Sequence, residues 1–234
     1  MRLRLASYNI HKCLGLDRRR RPDRVLAVMA GIDADVIALQ EVDHRLGHRP
    51  AALSRDLAEH ATGLRAVPVA LGRHSFGWHG QVILARPGLE LTGLRRIELP
   101  GLEPRGAVAA EFLRDGQPFR VIAVHLGLFR RSRKMQLAAL AAALSHRPVL
   151  PTAIIGDFNE WSVAGGMETL GAGFVVHAPG PSFPAARPVA RLDRIALGPG
   201  LHLLAAGTHG GGPARVASDH LPIWADVRVG PGAA

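Results

Sequence analysis

Polar side chains follow the ends of several apolar runs in this 234-residue sequence. The clearest case is Ile154-Ile155-Gly156, which leads into Asp157 and, two residues later, Asn159. Residues two apart in an extended strand point to the same side, so this acid and this amide would face the same space. Acids, amides and histidines gathered in one place can bind metal ions and move protons. The strand end therefore predicts a polar site.

Other predicted strands carry similar side chains at their ends or starts, namely Asn9, Glu41 and His125 at strand ends, and Asp193, Asp219 and His220 at strand starts. If the late strands run antiparallel to the early ones, all of these groups gather at one rim of the sheet structure. Each of them alone is also compatible with a turn or a solvated surface position. Their repetition at five or six strand ends favours a functional site.

Apolar runs alternate with amphipathic segments along the whole chain, which predicts one α/β domain over residues 1–230, followed by a disordered tail, 231–234. Predicted strands cover residues 3–10, 36–39, 81–85, 107–113, 119–125, 152–156, 191–197 and 221–229. Predicted helices cover residues 23–30, 50–61 and 133–144. The second helix is inferred from Leu53, Leu57 and Ala61 at fourfold spacing, with Gly63 just past its end.

The net charge is +10 and the isoelectric point is about 11.4, which would suit an anionic partner such as nucleic acid or acidic lipid. Only Lys12 and Lys134 among the 29 basic residues are lysines, so codon composition is an alternative origin of the charge. No 18-residue uncharged apolar run is present, which argues against a membrane span. A single cysteine, Cys13, and a charged N-terminus predict a cytoplasmic protein, and we expect a monomer.

Six short motifs occur in a fixed order from residue 7 to residue 222: Ser7-Tyr8-Asn9-Ile10, Leu39-Gln40-Glu41-Val42, Val124-His125-Leu126-Gly127, Ile155-Gly156-Asp157-Phe158-Asn159, Leu192-Asp193-Arg194-Ile195 and Ser218-Asp219-His220-Leu221-Pro222. In this order they resemble the endonuclease/exonuclease/phosphatase superfamily, and the opening motif is similar to a compact bacterial branch of it. The resemblance implies a four-layered α/β sandwich, in which two mixed β-sheets lie face to face with helices outside. It also implies a metal-dependent phosphoric-ester hydrolase.

Two positions depart from patterns found in that superfamily. Gly80-Gln81-Val82 stands where members often have Gly-Asn-Ala, so an active-site hydrogen bond from that Asn does not carry over to this chain. Val42 follows Glu41, whereas abasic-site enzymes usually have a lysine after this glutamate. Abasic-site repair is therefore not favoured.

The resemblance also implies a role for each strand-end residue. Asn9, Glu41 and Asp219 would bind Mg²⁺ or Mn²⁺ through hard oxygen ligands. His220 would bind the phosphate or act on the attacking water, with Asp193 orienting its ring. We therefore expect Asp193 and His220, 27 positions apart, to be hydrogen-bonded.

Further roles complete the expected site. Asp157 is the competing general base, with Asn159 orienting the water, and the residues alone leave the choice between Asp157 and His220 open. His125 would lie near the leaving oxygen. Arg105 is expected to clamp a phosphate, and His79 is a second candidate for substrate binding.

The predicted function is Mg²⁺-dependent hydrolysis of phosphodiester or phosphomonoester bonds, nuclease-like, with water attacking phosphorus. One alternative substrate is a phospholipid or inositol-phosphate head group, for which the apolar stretch 126–129 beside the site is a candidate contact. Another alternative is a catalytically silent module that binds nucleic acid or lipid. The cluster Arg130, Arg131, Arg133 and Lys134 either grips a second phosphate or is an ordinary solvated helix start, and Trp161 is a candidate for stacking on a base.

Overall fold

Two six-stranded β-sheets form the centre of this computed structural model, which describes residues 1–45, 47–162, 165–171 and 173–230. The predicted tail, 231–234, lies outside the described residues. The strands are β1 (Arg2–Asn9), β2 (Val36–Gln40), β3 (Arg65–Ala66), β4 (Gln81–Ala85), β5 (Glu90–Leu99), β6 (Arg105–Arg114), β7 (Gln117–His125), β8 (Thr152–Asp157), β9 (Val175–His177), β10 (Asp193–Leu197), β11 (Leu201–Thr208) and β12 (Ile223–Val229). The α-helices are α1 (Pro22–Ile32), α2 (Arg55–Thr62), α3 (Arg130–Ser145) and α4 (Ala214–Ala217).

Both sheets are mixed, and each contains one parallel pair of strands. The first sheet has the order β11-β12-β1-β2-β4-β3, and the second has the order β5-β6-β7-β8-β10-β9. The parallel pairs are β1 with β2 and β7 with β8, while the other neighbours are antiparallel. Parallel neighbours need a crossover connection, which α1 and α3 provide.

The two sheets pack face to face around one large apolar core. This core contains Leu5 of the first sheet together with Val121 and Ile155 of the second. The helix α1 joins the same core through buried residues such as Met29, and α3 covers the second sheet through Leu137 in a separate cluster. The predicted four-layered α/β sandwich is therefore confirmed.

Two long strands were not predicted from the sequence. Strand β5 forms one edge of the second sheet, and β11 forms one edge of the first. Each has only one buried residue and is otherwise exposed or half-buried, so its side chains lack the clean apolar alternation that marked the internal strands. By contrast, β12 alternates between buried and half-buried residues along its whole length, as expected.

The predicted helix over residues 50–61 was wrong at its start. The side chain of Ser54 accepts a hydrogen bond from the Leu57 backbone N–H at 3.5 Å, and α2 begins at the next residue. This later start turns Ala58 inward and leaves Leu57 exposed, whereas Leu53 is buried ahead of the helix. The helix does end at Gly63, which adopts a left-handed conformation.

Asp43 anchors the loop that leads into β4. Its buried carboxylate accepts hydrogen bonds from the backbone N–H groups of Phe76 and Gly77, at 2.7 and 3.0 Å. We expect Asp43→Ala to lower the free energy of unfolding by about 2–4 kcal/mol, because two buried donors lose their acceptor. Urea denaturation measures this change. A loss below about 0.5 kcal/mol, as for an ordinary surface substitution, would contradict the anchoring role.

Candidate active site

The polar strand-end residues lie together because of the strand directions. Strand β12 runs antiparallel to β1, and β10 runs antiparallel to β8, so the starts of these late strands lie beside the ends of the early ones. A cleft of about 450 Å³ opens at this rim. Its walls include most of the residues expected at the site, namely Asn9, Glu41, Arg105, His125, Asp157, Asn159, Asp219 and His220.

Asp157 lies at the centre of the cleft and is almost completely buried. Its Oδ2 accepts a hydrogen bond from Asn9 Nδ2 at 3.1 Å and lies 3.5 Å from His125 Nε2 and 3.7 Å from His220 Nε2. Its Oδ1 accepts the Asn159 backbone N–H at 2.9 Å. Burial raises the pKa of Asp157 to about 6, against the opposing effect of His220. This carboxylate can therefore exchange a proton near neutral pH.

His220 is held by a buried carboxylate behind it. Its Nδ1 lies 2.9 Å from Asp193 Oδ2, so the contact predicted from the sequence is present. Ser182 Oγ donates a hydrogen bond to the same oxygen at 2.5 Å. Burial alone would lower the pKa of His220, but the carboxylates of Asp193 and Asp157 outweigh it and raise the pKa to about 10. The histidine is therefore an imidazolium at neutral pH.

His125 and Asn159 also line the cleft. Burial, reinforced by the charges of Arg105 and His220, holds the pKa of His125 well below its ordinary value, so this ring is neutral. The side-chain amide of Asn159 donates to the Leu126 carbonyl at 2.9 Å. Gly156 lets β8 approach β7 closely just before Asp157, because a Cβ at its position would lie 1.9 Å from a backbone oxygen of β7.

Glu41 follows β2 and carries its carboxylate into the cleft. Lys12 Nζ donates to one carboxylate oxygen, and an Arg45 guanidinium nitrogen lies 3.3 Å from the other. Burial would raise the pKa of Glu41, but the positive charges around it, chiefly Lys12 and then Arg45 and His11, together lower it. Glu41 is therefore a carboxylate that is surrounded by cations.

Asp219 lies on the side of the cleft nearest the first sheet. Its Oδ1 lies 3.7 Å from His11 Nδ1 and 3.3 Å from Ser218 Oγ. The Ser218 hydroxyl also donates to the Asn9 carbonyl at 2.7 Å. This contact fixes the segment before β12 against the end of β1.

The two expected substrate-binding residues differ in position. Arg105 lines the main cleft and pairs with Glu103 at 2.6 Å. His79 is not among the residues that line the main cleft. It lines a smaller adjoining cavity of about 120 Å³, and its Nδ1 lies 3.1 Å from the Pro104 carbonyl oxygen. Gln81, which replaces the usual Asn, donates to the Gly106 carbonyl of the opposite sheet.

The basic cluster at the start of α3 separates into two parts. Arg133 is buried, pairs with Glu160 at 2.9 Å and donates to the Leu128 carbonyl at 2.6 Å, so its role is structural. The other three, Arg130, Arg131 and Lys134, are exposed. Trp161 is also exposed and lies at the cleft.

Sequence reasoning did not find Lys12 or Ser182. Lys12 is one of two lysines in a sequence whose other Lys/Arg residues are all arginines. This rarity was the one feature of the sequence that could have marked Lys12 as a functional residue. Ser182 lies in a loop whose backbone hydrogen-bonds to Ala190 in the same loop and to Leu221, which is distant in sequence.

The sequence model of the endonuclease/exonuclease/phosphatase family matches residues 6–220. The chain belongs to this family. It is 29% identical over 253 residues to the uncharacterized protein YbhP of Escherichia coli K12, an alignment that covers 97% of this chain and 96% of YbhP. This relative is bacterial, as expected from the opening motif.

Solved structures share the fold at low sequence identity. A functionally unknown conserved protein from Enterococcus faecalis V583 has a TM-score of 0.80 and 19% identity, covering 97% of this chain and all of that one. D. rerio TDP2 complexed with a single-strand DNA product has a TM-score of 0.76 and 18% identity, covering 97% and 99%. The mannosyl-6-phosphatase Bt3783 of Bacteroides thetaiotaomicron has a TM-score of 0.74 and 18% identity, covering 96% and 99%.

Asp157, Asp193 and His220 each offer a ligand atom, and these atoms lie within 4.8 Å of one another. This buried group is close enough to hold a divalent metal ion. None of the helices in the described part of the chain combines the length and apolar character that crossing a bilayer requires.

The titration of His220 in the metal-free protein tests the electrostatics of this site. Because its pKa is about 10, we expect its ring to stay protonated between about pH 6 and pH 8, as followed by ¹⁵N NMR with His220→Ala assigning the signal. In the unfolded chain the pKa is near 6.5. Protonated His220 therefore stabilises the fold below about pH 6.5, and this contribution is lost as pH rises through about 10. A native midpoint near 6.5 would contradict the arrangement.

Proposed function

We propose that the protein is an Mg²⁺-dependent phosphoric-ester hydrolase, nuclease-like in mechanism, in which a water molecule attacks phosphorus. The observation that carries the proposal is the series Asp193–His220–Asp157, beside a cleft that also contains Asn9 and Glu41. His220 is hydrogen-bonded to Asp193 at 2.9 Å, and its other ring nitrogen lies 3.7 Å from the Asp157 carboxylate. Phosphoryl transfer needs an oriented nucleophile and fixed positive charge around the phosphate oxygens. The cleft supplies both.

Asp157 and His220 have different roles in the proposed mechanism: Asp157 accepts a proton, and His220 provides positive charge. With a pKa of about 6, Asp157 is suited to take the proton of the attacking water. His220 is already protonated, which favours binding a non-bridging phosphate oxygen through Nε2 over accepting a proton. Asn159, positioned by its bond to the Leu126 carbonyl, orients the water. We therefore favour Asp157 over His220 as the general base, a choice that the sequence left open.

We place the metal at Glu41, with Asn9 and Asp219 as further oxygen ligands. These are hard donors of the kind Mg²⁺ prefers, and the Glu41 carboxylate contacts the cationic side chains of Lys12 and Arg45. The tight group Asp157, Asp193 and His220 fits less well, because His220 Nδ1 and Asp193 Oδ2 already bond each other at 2.9 Å. A bound Mg²⁺ supplies Lewis acidity at a phosphate oxygen.

The leaving group and the rest of the phosphate face two other residues. His125 is neutral and lies 3.5 Å from Asp157, so it can donate a hydrogen bond toward the leaving oxygen. Arg105 borders both the cleft and the adjoining cavity and provides a guanidinium for a phosphate oxygen. His79, in the adjoining cavity, is suited to contact only a more distant part of the substrate.

The proposal covers both diester and monoester substrates. Among the similar folds, one is a TDP2 bound to a DNA product and another is a mannosyl-6-phosphatase. Turnover with Mg²⁺ on plasmid DNA, RNA, sphingomyelin, inositol phosphates and bis(4-nitrophenyl) phosphate separates these classes. Activity on at least one of them, abolished by chelator, is the expected result. No Mg²⁺-dependent turnover on any of them would favour a catalytically silent binding module instead.

Lys12 is expected to compete with the metal for Glu41. Removing the ammonium in Lys12→Met eliminates both the competitor and its repulsion, so Mg²⁺ affinity should rise by about tenfold in calorimetric titration. Lys134→Met is the matched control, because the second lysine is exposed on α3 and does not line the cleft. Equal Mg²⁺ affinities in the two variants would contradict the competition.

A further inference from the structure

Four large apolar side chains stand exposed beside the cleft. Leu102 is 87% exposed, Leu128 63%, Phe129 61% and Trp161 64%. They lie on the loops before β6, after β7 and after β8, and Leu128 and Trp161 themselves line the cleft mouth. We call these four residues the apolar rim. Single exposed apolar residues are ordinary, but several grouped beside a site indicate a binding surface.

Charged groups hydrogen-bond to the loops of the apolar rim: Arg133 and Glu160 are buried, and Glu103 is half-buried. Glu103 accepts the Leu128 backbone N–H at 3.0 Å, which joins the loop of Leu102 to that of Leu128. Arg133 donates to the Leu128 carbonyl at 2.6 Å and pairs with Glu160, next to Trp161, at 2.9 Å. The three loops are therefore tied together by hydrogen bonds, while their apolar side chains remain exposed.

A positive patch adjoins the apolar rim. Arg130, Arg131 and Lys134, on the first turns of α3, directly follow Phe129 and are exposed. None of the three forms an ion pair within 4.0 Å with a described residue. Cations at a helix N-terminus oppose the helix dipole, and the first turn of α3 carries no acid. These charges do not stabilise the helix, which suits an anionic partner.

We propose that the apolar rim and the adjoining basic patch dock the protein on an anionic phospholipid bilayer, placing the cleft over lipid head groups. The docking inference rests on the proposed phosphoric-ester hydrolysis, and it specifies the substrate of that hydrolysis as a lipid head-group phosphoester. Apolar and tryptophan side chains beside Lys and Arg are typical of interfacial membrane binding. A nucleic-acid strand is less well matched, because two of the four rim residues are leucines, which cannot stack on bases.

The apolar contribution is tested with phosphatidylcholine vesicles containing roughly a third phosphatidylserine, in the presence of chelator. Trp161 is the one exposed tryptophan of three, so its fluorescence should shift to the blue on binding. The double variant Leu102→Ser/Phe129→Ser should bind at least about tenfold more weakly. Neither residue lines the cleft, and serine at position 129, the N-cap of α3, favours the helix. Turnover of soluble bis(4-nitrophenyl) phosphate should therefore be unchanged.

The matched control removes equally exposed apolar side chains elsewhere. Leu71 is 75% exposed and Val149 is 93% exposed, the latter at the opposite end of β8 from Asp157. Leu71→Ser/Val149→Ser should bind vesicles as the wild type does. If this control weakened binding as much as the rim variant, binding would not be confined to the rim and the proposal would be wrong.

The charge contribution is tested by Arg130→Glu/Arg131→Glu. Acids in the first turn should raise the melting temperature through the helix dipole, yet vesicle affinity should fall at least about tenfold. If Arg130 and Arg131 had only a structural role, the substitutions would not combine a higher melting temperature with weaker vesicle binding. Arg55→Glu/Arg73→Glu removes the same charge at exposed positions away from the cleft and should retain binding.

Two outcomes would overturn the surface assignment. One is equal binding to anionic and pure phosphatidylcholine vesicles, or none to either. The other is binding of a fluorescent single-stranded oligonucleotide that depends on Arg130 and Arg131 without vesicle binding, which would assign the surface to nucleic acid. Vesicle binding is measured without turnover, so failure of the hydrolytic function appears separately, in the soluble-diester assay.

Discussion

Asp193→Asn should reduce turnover by about 10³-fold while leaving substrate affinity nearly unchanged. The asparagine fits the same buried space but removes the negative charge that holds His220 as an imidazolium. The interaction matters most when charge builds up on the phosphate oxygens, so the loss should appear in kcat and much less in KM. Steady-state kinetics on bis(4-nitrophenyl) phosphate with Mg²⁺ measure both quantities.

A double-mutant cycle with His220→Ala decides whether the two residues act as a unit. If they do, the double variant should be little worse than the worse single variant. Strictly additive losses would mean that Asp193 and His220 work independently. The competing structural explanation, an ion pair of Asp193 with Arg191 or Arg194, is not what the structure contains: Arg194 donates to the Asp193 backbone carbonyl, and Arg191 donates to the Ala178 carbonyl.

Glu41→Gln should weaken Mg²⁺ binding by at least about tenfold and reduce turnover by about 10²-fold or more. The substitution keeps the shape of the side chain but replaces a charged ligand with a neutral one. It also frees Lys12, whose ammonium then repels the metal. Calorimetric titration with Mg²⁺ measures the affinity, and far-UV circular dichroism verifies that the fold is retained.

Glu98→Gln is the matched control for this substitution. Glu98 is a highly exposed carboxylate on β5 that lies 3.2 Å from His79 and outside the cleft lining. It should change neither metal affinity nor turnover. If Glu41→Gln behaved like Glu98→Gln, the metal would have to be sought at Asp157, Asp193 and His220 instead.

The layered fold and the location of the cleft were predictable because both depend on local patterns. Internal strands are buried on both faces or alternate cleanly, as in β12, and polar residues at their ends stand out against apolar runs. Asp157, the last residue of β8, and Asp193, the first residue of β10, follow this rule, and antiparallel pairing places them directly opposite each other.

The remaining features depend on contacts between distant segments. Ser182 reaches Asp193 only because its loop is fixed by the Leu221 backbone at 2.7 Å and the Ala190 backbone at 2.8 Å. Lys12 reaches Glu41 through a turn of left-handed residues, which is closed by a hydrogen bond from its own N–H to the Glu41 carbonyl at 3.1 Å. No local periodicity in the sequence indicates such contacts. The edge strands β5 and β11 were missed for a different reason, because they lack the clean apolar alternation of the internal strands.

Hydrolysis in ¹⁸O-labelled water tests the central claim, attack of water on phosphorus at this cleft. With Mg²⁺ and a turned-over diester, mass spectrometry should find the label in the phosphate-containing product and none in the released alcohol. Labelled product should disappear with chelator and fall sharply in Asp157→Asn, which lacks the proposed base. Label in the alcohol, or product formation that is unaffected by chelator and by Asp157→Asn, would contradict the mechanism.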